Sequence, residues 1–197
     1  MASEYDPLIP ERRREPDAAA EREFTAIREH FAAASRPFLS SPWTWLGWAA
    51  ILPSAALLTP QFSARPGSVL FLWSVAILAG GLVEFLALRR RQVFQERTPI
   101  ASWALNLQGN LSLVGLVLSV VIVLAGRPDF LPGLWCLILG HSFFALGGLA
   151  FRPMRTAGLL FQLGGVASFL PGVPPLMAFA ISSAVACGWL GWGVARR

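Results

Sequence analysis

Residues 68–91 read SVLFLWSVAILAGGLVEFLALRRR, a long apolar run holding one ionisable side chain, Glu84, and closed by Arg89, Arg90 and Arg91. At a rise of 1.5 Å per residue a helix over 68–88 is about 31 Å long, which matches the hydrocarbon core of a bilayer. A helix on the surface of a soluble protein keeps a polar face. This one has none, so the stretch reads as a membrane span with its arginines just outside the apolar zone.

The rest of the chain repeats that design. Apolar runs over 43–59, 68–88, 103–125, 131–151, 156–170 and 174–195 predict six spans, paired into three hairpins. The first and fifth are short and bounded by proline (Pro42 and Pro60; Pro153 and Pro171), and the fifth is open to a full crossing or a re-entrant path. Composition agrees. The 197 residues are 55% hydrophobic and 14% charged, where a soluble domain carries about 25% charged residues. Such hydrophobicity excludes a disordered chain, and two cysteines exclude a disulfide scaffold.

The basic residues are all arginine, and they set the orientation. Fourteen of the 16 fall in the N-terminal segment, the 89–97 loop, the Arg152 and Arg155 loop, and the C-terminal Arg196 and Arg197. Arg65 and Arg127 lie on the opposite side. By the positive-inside rule both termini are expected in the cytoplasm, with the chain in the inner (plasma) membrane of a bacterial cell. The net charge of +5 is then a topology signal facing lipid headgroups, and nucleic acid is not an expected partner. The first 40 residues hold no apolar signal-peptide core, so the first span is expected to direct insertion.

Residues 1–42 form a cytoplasmic arm ahead of the membrane domain, 43–197. Between Pro16 and Pro37 an alanine-rich stretch predicts a helix over 17–35. Ala20, Phe24, Ile27 and Phe31 recur every three or four residues as one apolar stripe, with Glu21, Arg22, Arg28 and Glu29 off it. A helix made for anionic lipid has a basic polar face; this one is mixed. Phe24, Ile27 and Phe31 are therefore the candidate contact stripe for a partner or for the protein's own cytoplasmic face, with lipid as the alternative.

Inside the spans the polar residues are few: Glu84, Asn106, Gln108, Asn110, His141, Gln162, Ser182 and Ser183 are the most prominent. Glu84 continues a row of Ala76 and Gly80, His141 shares a face with Ala145 and Gly148, and Gln162 lies with Gly158 and Gly165. Rows of small residues mark close helix–helix approach. Glu84, Asn106, Asn110, His141 and Gln162 are accordingly expected to face the bundle interior. Two readings stay open. They line a cytoplasm-facing cavity, with Glu84 as a proton or cation site, or they are hydrogen bonds between helices. In the sixth span Ala180, Ala184 and Gly188, beside Ser183, Cys187 and Gly191, offer a further surface for self-association.

The search for catalytic patterns is unproductive. Two histidines, His30 and His141, cannot build a bis-histidine haem site within the membrane, nor a histidine-rich metal site. Cys136 and Cys187 stand alone in apolar helices and read as packing residues. There is no G-x-S-x-G elbow, and a phosphate-binding loop lacks its lysine. The sequence thus points to an all-α polytopic membrane protein without cofactor or metal. Its expected role is that of a non-enzymatic accessory, regulatory or scaffolding subunit; a small-solute or ion carrier is the alternative.

Overall fold

The computed structural model describes residues 18–35, 41–89, 99–149 and 152–196. Among them the regular structure is entirely helical: α1 (Ala18–Ser35), α2 (Pro42–Phe62), α3 (Pro66–Arg89), α4 (Pro99–Leu124), α5 (Leu131–Leu149), α6 (Arg152–Ala167) and α7 (Pro175–Ala195), with one 3-10 turn at Pro128–Phe130. The all-α class is as expected, and each apolar run is a helix.

The ends differ from expectation where proline bounds an apolar run. Helix α2 runs through Pro53 and Pro60 and ends at Phe62, where the Ser63 amide returns to the Pro60 carbonyl. A proline costs one amide hydrogen bond, and the remaining turn still closes. Helix α6 begins at Arg152, next to Pro153 in its first turn, where a missing amide costs nothing. It stops at Ala167, three residues early, and the chain turns through Gly172 at φ +81°, a left-handed conformation that suits glycine. Gly126, at φ +71°, does the same between α4 and α5.

Four stretches are long and apolar enough to cross a membrane: Gly67–Ala87, Asn106–Leu124, Pro128–Gly147 and Pro175–Ala195. Helix α2 has the length, but its prolines, Thr44, Ser54, Thr59 and Gln61 dilute its hydropathy. Helix α6 has 16 residues, about 24 Å of rise.

Helix α7 sits at the centre, packed on α2, α6 and α5, and α5 and α6 pair most closely of all. Along α7, Phe179, Ala180, Ser182, Ser183, Ala186, Cys187, Leu190, Gly191 and Val194 are buried. Small side chains there let three neighbours approach one helix. Helix α3 rests on α2, and α4 on α5, so these two flank the core. Their outer faces are apolar and exposed, with Leu78 73% and Leu124 82% accessible. A row of large aliphatic side chains facing outward along a helix this long is the surface a bilayer requires.

The α5–α6 seam has a regular cause. Gly133, Gly140 and Gly147 recur every seventh residue on α5, as Gly158 and Gly165 do on α6. A Cβ on Gly147 would lie 2.2 Å from the Arg155 backbone nitrogen, and one on Gly158 2.4 Å from that of Phe144. Glycine at these places lets the two backbones touch, which in lipid is a main source of helix association.

Candidate functional site

The five polar residues singled out in the sequence do not converge. Glu84, on α3, is half-buried against α2. Its hydrogen-bond partner is the Trp48 side chain, which lies over Gly80, one turn earlier on α3. A Cβ at Gly80 would stand 2.1 Å from that indole, so the Ala76–Gly80–Glu84 row serves as the slot for a tryptophan. Gln162, on α6, is half-buried with its side chain against Gly140 of α5. Asn106 and Asn110 on α4 and His141 on α5 are exposed. The interior orientation expected for these three is therefore corrected. On α5 the face that meets α6 carries Gly133, Gly140 and Gly147, and His141 lies 100° round the helix from Gly140.

Other polar side chains do the bridging. Ser142 on α5, fully buried, donates its hydroxyl to the Gln108 carbonyl oxygen on α4. Cys136 on α5 and Ser182 on α7 meet at 3.3 Å, and the Ser182 hydroxyl also donates to the Phe179 carbonyl, at 3.1 Å. Toward the other end of α2, the Trp73 indole of α3 donates to the Thr59 hydroxyl at 3.1 Å and stacks edge-on against Phe179 of α7, 5.6 Å between ring centres. Ser142 is not among the residues singled out from the sequence, since a lone serine in an apolar helix carries no pattern of its own. The signal that finds Ser142 is its level opposite Gln108 in an antiparallel pair.

Aromatic contacts tie the same helices together. Trp45 of α2 meets Phe143 of α5 edge to face at 5.6 Å, and Phe143 meets Phe161 of α6 at 5.6 Å. Trp45 is 8% exposed, and its indole nitrogen has no hydrogen-bond partner among the described residues. Three arginines near helix ends lie against rings: Arg155 over Phe144, Arg196 over Trp192, and Arg127 over Phe130, where Arg127 also pairs with Asp129 at 3.3 Å. Cation–π contacts of this kind fix a charged end where the apolar zone stops.

Chemically, the arrangement is a set of two-residue bridges, each spent between neighbouring helices. Among the described residues no three His, Cys, Asp or Glu side chains gather as a metal site would need. In the arm, α1 touches α4 and α5. Phe24 is 74% and Ile27 52% exposed, so neither is covered by the bundle. Phe31 belongs to α1, but its side chain lies outside the described residues, as do residues 1–17. The second small-residue surface is largely used internally: Ser183 and Cys187 are buried, and a Cβ on Gly191 would meet Leu46 of α2 at 3.0 Å. No family model, curated protein or solved structure matches the chain.

Proposed function

We propose that the chain is a non-enzymatic, six-span protein of the inner (plasma) membrane, with both termini cytoplasmic, that acts as an accessory, regulatory or scaffolding subunit through its arm. The pairing of most of the interior polar groups carries this reading. A carrier or enzyme needs polar side chains left free to meet a ligand, and here Gln108, Ser142, Cys136, Ser182 and Glu84 are engaged in pairs between helices. The uncovered Phe24 and Ile27 supply the outward-facing contact. Six crossings are supported by packing. Helix α6 runs along α5 from Arg155 beside Gly147 to Gly165 beside Gly133, and α2 lies along α7, so each short helix is packed lengthwise on a long one. The arginine asymmetry supports the orientation.

Affinity purification from membranes in mild detergent tests the role. Wild-type protein is expected to bring down one partner in stoichiometric amount, and the Phe24→Glu, Ile27→Glu variant to lose it while still eluting as a folded species. A wild-type preparation that is monodisperse and free of partner would overturn the reading.

The carrier reading rests on Glu84, half-buried where α2 meets α3. Reconstituted liposomes decide it. Proton or cation flux abolished by Glu84→Gln would establish transport, and no flux under an imposed gradient would dismiss it.

A further inference from the structure

In its outer face α4 carries something a lipid-facing helix should not. Asn106 and Asn110, four residues apart on one face, are both exposed, and neither side chain has a hydrogen-bond partner among the described residues. Around them the same face is apolar: Leu113 is 59%, Val117 55% and Leu124 82% exposed. Asn106 opens the apolar stretch Asn106–Leu124, and Asn110 lies four residues, about 6 Å of helix, inside it. An amide held in hydrocarbon without a partner costs about 2–7 kcal/mol.

Between the two amides stands Gly109, with no atom within 4 Å of where its Cβ would be. Glycine next to an open, polar helix face permits another backbone to approach closely. Helix α4 is also the least covered of the four long apolar helices, with 6% of its span buried against the rest of the chain.

We infer that this face is where a second copy of the chain docks, α4 against α4, crossing near Gly109. The amide group decides the occupant. It is at once a donor and an acceptor, so it satisfies its own kind across a two-fold axis. Two copies inserted in the same orientation bring Asn106 opposite Asn106 and Asn110 opposite Asn110, at equal depth. The inference rests on the reading that α4 crosses the membrane.

Cysteine cross-linking in native membranes tests it, since Cys136 and Cys187 are buried and do not compete. Gly109→Cys is expected to give a dimer of twice the chain mass under mild oxidation. Gly81→Cys, on the exposed side of α3 with equally open surroundings, should not. Adding Asn106→Leu and Asn110→Leu to Gly109→Cys should lower the dimer yield roughly tenfold, as expected for loss of the interhelical amide bonds. The Leu variant's elution in detergent reports whether it still folds. Cross-linking at Gly109 no better than at Gly81, a yield indifferent to the leucines, or a product of another mass would each overturn the dimer. Alkaline extraction of the same membranes separates the two failures. Protein that washes off refutes the membrane span, and protein that stays without cross-linking refutes the dimer alone.

Discussion

Replacing Gly158 with leucine should unfasten α6 from α5. The Cβ of any side chain there would fall 2.4 Å from the Phe144 backbone nitrogen and 2.7 Å from the Gly140 carbonyl oxygen. Both are main-chain atoms, so no rotamer change can make room and the helices must move apart. Overpacking a core costs about 1–3 kcal/mol where side chains can yield; with backbone on both sides the upper end is expected. A loss of about 3 kcal/mol corresponds to a fall in Tm of roughly 6–12 °C for a chain of this size. Gly158→Ala meets the same Cβ clash and should show much of the effect. Gly81→Ala and Gly188→Ala, with nothing within 4 Å, should melt close to wild type. Thermal unfolding in one detergent, followed by the folded elution peak, compares them. If Gly158→Leu melted with the controls, the α5–α6 seam would not be the contact drawn from it.

That seam also indicates what a sequence can and cannot disclose. Gly158 and Gly165 were legible as a close-packing row because they flank Gln162 on one face of α6. On α5 the row of Ala145 and Gly148 next to His141 competed with Gly133, Gly140 and Gly147. The two sets lie about 100° apart, and an apolar helix with glycines on several sides has no polar face to choose between them. The polar residues were misjudged for a related reason. In water an exposed asparagine is unremarkable, and in lipid it is costly, so burial was the natural expectation for Asn106 and Asn110. That expectation treats the chain as a closed object. It fails if the interior belongs to a pair of chains.

The six apolar helices were legible from hydropathy, because each run of apolar residues satisfies its own backbone as helix wherever it lies. Helix ends were not, since Pro53 and Pro60 interrupt a hydrogen-bond ladder without ending α2. The neighbours of each helix could not be read either. Hydropathy does not distinguish a central α7 from a peripheral α3, since both are long and predominantly apolar. The distinction is in residue size, with Ala180, Ser183, Cys187 and Gly191 on α7 against Leu70, Phe71, Leu78 and Leu82 on α3.

Truncating Phe161 to alanine should distinguish a bundle held together in lipid from one held together by water. Phe161 is fully buried on α6, edge-on to Phe143, which in turn contacts Trp45, so its ring lies in an aromatic chain linking α6, α5 and α2. In a soluble core a Phe→Ala change costs about 3–5 kcal/mol, the sum of lost transfer from water and the cavity left behind. Within a bilayer the separated helix exposes that side chain to acyl chains, which are as apolar as the core, so the transfer part largely vanishes. What remains is lost packing. A cavity of about 100 Å³ at about 24 cal/mol per Å³ gives about 2.4 kcal/mol. The matching control is Leu78→Ala on α3, where the side chain is 73% exposed and should be worth close to nothing, since it meets lipid in either state. Unfolding in bicelles of constant composition, by denaturant or by force, reads both. A Phe161→Ala loss well above about 4 kcal/mol would mean that water reaches the separated α6, and α6 would then not be a full crossing.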